Sequence, residues 1–446
     1  MRRQLHHPTA APSLGPSMQR ALDCKRSAQS QVPWAALRQR AHDVKAYVLA
    51  NLDSLLVSFE TEFRARGGAV LWARTAADAG DIFLDIARRH GAKSVVKGKS
   101  LVSEELALNA RLRAAGIEPV ETDLGEFIVA LAGQKPSHII APAVHLSSAD
   151  VGRIFEAKLG LPYSADPATL SLAARELLRA RYLQAGVGMT GVNFAIAETG
   201  TVVVVENEGN AGLSAAAPPV HVLLMGIEKV LPGLADLSVF LQLLARAGTG
   251  QKLTSYTHHF LGPEPGKQMY CILIDAGRTD VFADSQTRES LACIRCGACL
   301  NVCPVYRRVG GHAYGGVYPG PIGSVVTPQM VGVAAAGELP FASSLCGACR
   351  EECPVKIDLP RQLVFMRSKA VASRSTGTFT ERVCVRLWAA AMMNVKTYRA
   401  AVAVARLLQR AAHLLRTRPR EATLDGTGFR LPTMAVTTFK EWWGDR

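Results

Sequence analysis

Aromatic residues and long hydrophobic runs are both scarce in this sequence. Aromatic side chains make up 6% of the 446 residues. There is no run of about 18 uncharged apolar residues, so we expect no membrane-spanning helix. The N-terminal segment is basic and holds no apolar core, so we expect no secretory leader there. The hydrophobic content of 48% is typical of a globular protein and excludes collagen-like, coiled-coil and fully disordered classes.

Nucleotide-binding signatures are also missing. Gly98-Lys99-Ser100 ends like a phosphate-binding loop, but that motif needs a glycine five residues before Gly98, where Lys93 stands. No G-x-G-x-x-G segment follows a predicted strand. The sequence therefore gives no support for a nicotinamide or flavin cofactor held by this chain.

Positive charge is concentrated towards the two ends of the chain. The formal net charge is +14, and residues 1–33 carry +4 while residues 361–420 carry +12. The charges of residues 34–360 nearly cancel. Because a nucleic-acid-binding protein usually carries its charge on the folded body, we expect no nucleic-acid partner. The basic ends suit an acidic partner, a membrane surface or a solvated helix face.

Strand and helix patterns alternate through the first part of the chain. A helix is predicted over residues 34–66, and short apolar strands then alternate with helices that end at glycines. The valines at 202–205 suit a strand buried on both faces. We therefore predict an α/β domain with a largely parallel sheet over residues 34–284, preceded by a disordered basic arm, residues 1–33.

The character of the sequence changes at residue 285. Cysteine, glycine and proline dominate residues 285–360, and helical patterns return over residues 361–446. In that last region the apolar residues from Val404 to Leu415 share one helix face, opposite several arginines. We predict a mainly α-helical second domain followed by a basic, helical C-terminal region.

Seven of the ten cysteines form two groups within the second domain. The first group has the spacing C-x2-C-x2-C-x3-C-P, in which soft thiolates can wrap around an iron–sulfur cube. The second group lacks the first cysteine of this pattern and has Ser343 in its place. A structural zinc site would need only four cysteines and leaves the repeated spacing unexplained. The cysteines are Cys293, Cys296, Cys299 and Cys303 in the first group and Cys346, Cys349 and Cys353 in the second.

The ligands of two clusters follow from a rule of two-cluster ferredoxins, in which the cysteine before proline ligates the other cluster. The rule assigns Cys293, Cys296, Cys299 and Cys353 to cluster 1. It assigns Cys303, Cys346 and Cys349 to cluster 2. The fourth ligand of cluster 2 stays open between Ser343, another group and none, so this cluster is a 4Fe–4S cluster with a non-cysteine corner or a 3Fe–4S cluster. Two adjacent clusters would conduct electrons.

Five segments outside the cysteine groups are also distinctive. They are Lys99–Asn109, Glu121–Glu126, Pro136–His145, Glu198–Thr201 and Gly311–Gly323. Together with both cysteine groups, they resemble the bacterial lactate utilization protein B family, over about residues 34–415. The resemblance implies a CoA-transferase- or sugar-isomerase-like α/β domain and a two-cluster ferredoxin-like domain. It also implies that the chain carries electrons in the oxidation of L-lactate to pyruvate, in a complex with lactate utilization proteins A and C.

The electron acceptor and the ligand of the α/β domain do not follow from the resemblance. The matching segments, together with the turn before the valine run, supply candidate ligand-site residues for that domain. They are Lys99, Glu121, Asp123, Glu126, Glu198 and Thr199.

Two other functions stay open. The α/β domain could itself oxidise a small hydroxy acid and pass electrons to the clusters, although no cofactor signature supports this. A regulatory iron–sulfur sensor could bind nucleic acid through the basic helix, but no DNA-binding motif is present. We expect a cytoplasmic protein that could contact the inner face of the membrane through its basic C-terminal helix.

Overall fold

The computed structural model describes residues 14–374, 376–415 and 439–444. The chain divides into two compact units, residues 1–375 and residues 376–446. The first unit holds the α/β domain and both cysteine groups, so these are packed together as one body. Its strands in chain order are β1 Ala69–Ala73, β2 Ser94–Lys97, β3 Glu118–Glu121, β4 Val187–Gly191, β5 Phe194–Ile196, β6 Thr201–Glu206, β7 Val220–Gly226, β8 Val230–Leu231, β9 Tyr256–Phe260 and β10 Gln268–Ile274.

Helices pack against both sheets and make up the cysteine-rich part. Short 3₁₀ helices lie at Ile227–Lys229, Arg288–Ala292, His312–Tyr314 and Leu339–Phe341. The α-helices of the first unit are α1 Leu14–Gln29, α2 Trp34–Ala50, α3 Leu52–Ala65, α4 Ala76–Arg89, α5 Leu101–Glu105, α6 Leu108–Ala114, α7 Leu124–Leu131, α8 Ser148–Leu159, α9 Pro167–Gln184, α10 Asn210–Ala216, α11 Leu234–Gly248, α12 Arg278–Ala283, α13 Ala298–Val302, α14 Pro304–Val309, α15 Gly320–Met330, α16 Val333–Ala336, α17 Ala348–Glu351 and α18 Leu359–Ala372.

The main sheet has six strands in the order β1-β10-β7-β4-β2-β3, and every neighbouring pair is parallel. This agrees with the predicted parallel sheet. From β2 the chain continues to β3 at the edge, whereas from β4 it continues towards β7 on the other side. The boundary between β2 and β4 is therefore a topological switch point, where open α/β sheets form a crevice at the carboxyl ends of their strands.

The valine run belongs to a second, four-stranded sheet with the order β8-β5-β6-β9. There β6 pairs antiparallel with both β5 and β9. Residues Val202–Val204 are buried, as expected, although the sheet is mixed and not parallel. The hydrophobic run thus predicts that the strand is buried on both faces, but it does not predict the direction of the neighbouring strands.

The predicted first helix is two helices. Asn51 has non-helical backbone angles and separates α2 from α3, while its side chain donates to the carbonyl of Tyr47 at 2.9 Å. The apolar spacing continues across this break because both helices bury their apolar faces in the same core. Periodicity alone therefore did not reveal the interruption.

The expectation of a disordered arm over residues 1–33 is wrong for the described part of that segment. Residues 14–29 form α1, which lies against α11, α13 and α14. Leu14, Met18 and Leu22 are buried at four-residue steps, and Lys25 is buried in an ion pair with Glu352. Composition pointed to disorder because the partners of this weak apolar stripe lie hundreds of residues away.

The C-terminal boundary also differs from the expected one at residue 360. Helix α18 packs on α15 within the first unit, and Leu363, Met366 and Ala370 are fully buried. The second unit has α19 Phe379–Met392, α20 Val395–Leu415 and α21 Phe439–Gly444. In the described part of the chain, none of the helices is long and apolar enough to cross a membrane. Part of the predicted apolar stripe is exposed, with Leu407 69% and Leu408 65% accessible.

Candidate iron–sulfur site

The first cysteine group begins as an irregular loop that enters a short helix. Arg295 and Gly297 both have left-handed backbone angles, with φ of 59° and 74°. Gly297 caps α13, which carries Cys299, and the chain then turns at Cys303 into α14. The backbone N–H of Arg295 donates to Cys293 Sγ at 3.4 Å, and that of Tyr306 donates to Cys303 Sγ at 3.5 Å. Such N–H···S bonds tune cluster potentials.

The second group has the same backbone conformation. Leu345 and Gly347 have φ of 56° and 87°, at the positions that correspond to Arg295 and Gly297. Gly347 caps α17, which carries Cys349, as Gly297 caps α13. The backbone N–H of Ile357 donates to Cys353 Sγ at 3.3 Å. The sequence repeat is therefore also a structural repeat.

Electrostatic interactions among the thiols indicate which cysteines of the two groups are neighbours. Cys353 interacts with Cys293, and Cys296 interacts with both of them. On the other side, Cys349 interacts with Cys303 and Cys346. These neighbours belong to the ligand sets that the crossed rule assigns to the two clusters. Cys299 interacts with Cys349 as well as with its own group, so the two sets lie side by side.

Burial makes these thiols unsuited to hold a charge without a metal. It raises the pKa of Cys296 to about 12 and that of Cys353 to about 11, and it raises the pKa of Cys299 well above the usual range. Iron binding deprotonates a coordinating thiol outright. The exposed Cys346 differs, because the backbone N–H of Ala348 lowers the pKa of its thiol. The buried thiols, Cys296, Cys299 and Cys353, thus fit an enclosed cluster 1. The exposed Cys346 fits a cluster 2 that lies nearer the surface.

A buried charge network adjoins Cys293. Arg278 Nη2 lies 2.9 Å from Glu105, and its Nε lies 2.7 Å from Glu228. Arg295 stacks on the ring of Tyr318 at 4.3 Å from its centroid, and the Tyr318 hydroxyl donates to Glu105. Although burial alone would raise it, the pKa of Glu228 is held at about 2 by Arg278 and the other cations.

The cations of this network outnumber its carboxylates. Lys45 Nζ donates to the carbonyl of Glu228 at 2.7 Å, and Lys229 Nζ lies 4.0 Å from the carboxylate of Glu228. Lys45, Lys229 and Arg295 all interact electrostatically with Cys293. The network has four cations, Lys45, Lys229, Arg278 and Arg295, and two carboxylates, Glu105 and Glu228.

Burial lowers the pKa of Lys45 to about 8 and also lowers the pKa of Lys229. An anion beside them would favour the charged form of both lysines and offset the cost of burying it. An iron–sulfur cluster with four thiolate ligands carries net negative charge and would supply this anion at Cys293. The residues present therefore fit a cluster at this position. The sequence patterns did not reveal this network. Of its members, only Arg295 lies within a cysteine group, and the others come from distant segments.

A cavity of about 280 Å³ lies between the α/β domain and the first cysteine loop. Its walls include residues from the loops that follow the carboxyl ends of β2, β3, β4 and β7. Ile294, Arg295 and Cys296 close it on the cluster side. The cavity thus occupies the crevice at the topological switch point, where α/β proteins bind small molecules.

The candidate ligand residues separate into three groups. Lys99 and Asp123 line the cavity. Glu121 instead accepts hydrogen bonds from Lys97 and Asn109 in a buried network. Glu126 lies beside it, and its own burial, together with the negative charge of Glu121, raises the pKa of Glu126 well above its usual range. Glu198 and Thr199 lie elsewhere: Glu198 accepts from the N–H of Leu234 at the start of α11, which is a capping role.

His138 links the α/β domain to the first cysteine group. Its Nδ1 accepts from the backbone N–H groups of Ile140 and Ala141, so the ring proton lies on Nε2 and donates to Asn301 Oδ1 at 3.1 Å. Asn301 on α13 donates in turn to the carbonyl of Gly248. This histidine therefore has a structural role, because through Asn301 it connects the α/β domain to α13.

Comparison with known proteins agrees with this architecture. A family model described as the LUD domain matches residues 56–279, and one described as a 4Fe-4S dicluster domain matches residues 289–357. Lactate utilization protein B of Bacillus cytotoxicus is 40% identical over 374 residues, which cover 82% of this chain and 78% of that protein. This chain belongs to the lactate utilization protein B family.

Other relatives extend the family match. Lactate utilization protein B of Oceanobacillus iheyensis is 39% identical, over 93% of this chain and 88% of that protein. The uncharacterized electron transport protein YkgF of Escherichia coli is 40% identical, over 80% of this chain and 76% of its own length. The dicluster match confirms two 4Fe–4S clusters as the cofactors.

Among solved structures, a DUF162 family protein from Deinococcus radiodurans is 13% identical to this chain, with a TM-score of 0.28. The match covers 50% of this chain and 98% of that protein. A score this low has no bearing on the fold, so the CoA-transferase-like and sugar-isomerase-like labels stay predictions.

Proposed function

We propose that this chain is the iron–sulfur electron-transfer subunit of a multiprotein complex that oxidises L-lactate to pyruvate. In this proposal lactate utilization proteins A and C are its partners. The relatives named lactate utilization protein B support the pathway, and the E. coli relative is named an electron transport protein. The clusters accept and release single electrons, while this chain's residues hold them next to each other.

The observation that carries the proposal is the interleaving of the two cysteine groups. Helix α13, which carries Cys299, packs against α17, which carries Cys349. The predicted ligand sets therefore adjoin, which supports electron transfer between the clusters. Cys296 and Cys299 are buried, whereas Cys346 is exposed. Electrons would therefore enter or leave near Cys346 and pass to or from the enclosed cluster beside Arg295.

The test is anaerobic EPR with iron quantitation on the purified full chain, before and after L-lactate is added. A conductor should contain its full complement of cluster iron and show no cluster reduction by lactate alone. Adding proteins A and C should then make reduction depend on lactate. Reduction by lactate in the absence of partners would refute this assignment and favour the second candidate.

The second candidate function is oxidation of a small hydroxy acid by this chain itself. One observation favours it: the cavity next to Cys296 is lined by donors such as Lys99 and Lys229 and by carboxylates such as Glu228. Its volume of about 280 Å³ suits a small metabolite better than a dinucleotide. The reaction would release two electrons, one to each cluster, and two protons.

A binding measurement separates this candidate from an empty structural cavity. Lys99 Nζ donates to the carbonyl of Ile140 at 2.8 Å and retains two other N–H groups for a carboxylate. Lys99→Gln should weaken calorimetric L-lactate binding at least tenfold, and the exposed Lys93→Gln should not. If wild-type protein binds no L-lactate at millimolar concentration, the second candidate is excluded for L-lactate.

A further inference from the structure

We infer that the Ser343 hydroxyl occupies the fourth ligand position of cluster 2. This cluster would then have one iron corner held by oxygen, while cluster 1 has four thiolates. The inference goes beyond the proposed electron-transfer role, because it concerns the chemistry of one corner whichever partners exchange electrons.

The first support is register. Ser343 precedes Cys346 by the same interval that separates Cys293 from Cys296, and Cys349 corresponds to Cys299. In a repeated ligand loop, the residue at this register reaches the same corner of the cube. Ser343 is half-buried, as Cys293 is.

The second support is backbone conformation. Leu345 is a branched residue in the left-handed region, with φ of 56°, where Arg295 of the first loop has φ of 59°. Such a conformation is unfavourable for a residue other than glycine and persists only where the surroundings impose it. The second loop thus retains the strained shape of a cysteine-ligand loop, although its first position is serine.

The third support is the hydrogen bond at this position. The backbone N–H of Leu345 donates to Ser343 Oγ at 3.1 Å, as the N–H of Arg295 donates to Cys293 Sγ at 3.4 Å. Within the second loop, Ser343 Oγ therefore occupies the position that Cys293 Sγ occupies within the first loop. A contact of this kind orients the oxygen and stabilises negative charge on it.

Helix α18 holds the segment in place. Arg367 Nη2 donates to the carbonyl of Ser343 at 2.7 Å, and its Nε donates to the carbonyl of Pro340 at 2.9 Å. The same guanidinium lies 5.3 Å from the centroid of the Phe341 ring. The backbone on the N-terminal side of the second loop is thus fixed independently of any metal.

An oxygen-held corner has a specific chemical consequence. Oxygen is a harder ligand than thiolate, so it binds this iron less firmly within a sulfur-rich cluster. When a one-electron oxidant such as ferricyanide is added, the 4Fe–4S²⁺ core gives up one electron to the oxidant. The corner iron then leaves as one ferrous ion, and a 3Fe–4S⁺ core remains.

The test compares the anaerobically purified full chain with three variants. Ferricyanide is added, the 3Fe–4S signal is followed by EPR and released ferrous iron is measured with a chromophoric chelator. Wild-type protein should release one iron per chain. Ser343→Cys should release it at least tenfold more slowly, and Ser343→Ala should already contain the 3Fe–4S cluster when purified.

Ser368→Ala is the matched control, because Ser368 is an exposed serine on α18 whose hydroxyl donates to the carbonyl of Phe365 at 2.7 Å. It should behave as wild type, and a Ser368 effect without a Ser343 effect would overturn the assignment. So would a Ser343→Ala variant with unchanged iron loss, or a Ser343→Cys variant whose new thiol still reacts freely with a thiol reagent.

A measurement on wild-type protein avoids dependence on how the variants fold. Reduced protein is exchanged into water labelled with a magnetic oxygen isotope, and pulsed EPR is recorded for cluster 2. A serine ligand gives no exchangeable oxygen coupling. A strong coupling to the labelled oxygen would identify a solvent ligand at the corner and refute the Ser343 assignment.

Discussion

Cys353 is the residue whose role most directly tests the crossed arrangement. It lies in the second group but interacts with Cys293 and Cys296. We expect Cys353→Ala to abolish most of the EPR signal of cluster 1 and to leave cluster 2 largely intact, because an apolar side chain cannot ligate iron. The exposed Cys384→Ala should change neither signal. Selective loss of cluster 2 in the Cys353 variant would contradict crossed ligation.

His138 makes stability depend on pH. Burial lowers its pKa from 6.5 to about 4. The folded state therefore binds fewer protons than the unfolded state in this window, so its stability falls as the pH drops from 6.5 towards 4. Between about pH 7 and pH 5, His138 should account for on the order of 2 kcal/mol of lost unfolding free energy.

The measurement for His138 is denaturant unfolding across this pH range in wild type and in His138→Gln. The glutamine retains an acceptor oxygen and does not titrate, so the variant should lose less stability on acidification. His259→Gln, at an exposed strand position, is the matched control and should follow the wild-type curve. Equal pH dependence in all three proteins would show that protonation of His138 has no such effect.

At the scale of elements, α2 brings a cation from the N-terminal part of the chain to Cys293. We expect Lys45→Met to lower the reduction potential of cluster 1, because a positive charge near the cluster stabilises its more negative reduced state. A change on the order of 1 kcal/mol is expected for one charge at this range. EPR-monitored redox titration measures it, with cluster 2 as the internal reference.

Arg40→Met is the control for Lys45, since Arg40 lies on the exposed side of α2 and pairs with Asp236. It removes a charge from the same helix at a surface position where water screens it. The potential of cluster 1 should then change little. If Lys45→Met leaves the potential unchanged, the buried network does not compensate the charge of this cluster.

The elements also show how far local patterns reach. The alternation of strands and helices predicted the parallel sheet, because both periods are local properties of the chain. The break at Asn51, the mixed second sheet and the packing of α1 were not predicted. Each of these depends on partners that are distant in sequence, such as α11, α13 and α14 for α1.

At the scale of the whole molecule, the second unit is distinct from the unit that holds the clusters. Its helices expose apolar side chains, including Trp388 at 62% and Leu407 at 69%, on a basic segment. We predict that deleting residues 380–446 leaves iron content unchanged and weakens association with proteins A and C or with a membrane. Co-purification and co-sedimentation with anionic vesicles measure the two partners separately.

Point variants distinguish the apolar contribution from the charge in that prediction. Leu407→Glu should weaken association with proteins A and C or with vesicles, without changing the iron content of the protein. Arg399→Gln should weaken vesicle binding most at low salt. The predicted apolar stripe also includes Ala411 and Leu414, whose side chains the structure does not describe. Unchanged co-purification and vesicle binding after the deletion would refute a docking role for the second unit.

The sequence by itself determined the cofactor and predicted its cysteine ligands, because cluster spacing is a property of a few adjacent residues. It also identified Ser343 as the unusual position and named six candidate ligand residues, of which only Lys99 and Asp123 line the cavity in the structure. Only the tertiary structure decided that Lys45, Glu228 and Arg278 gather beside Cys293, and that a cavity opens between the sheet edge and Cys296. Contacts between such distant segments arise from the packing of elements, which no local pattern encodes.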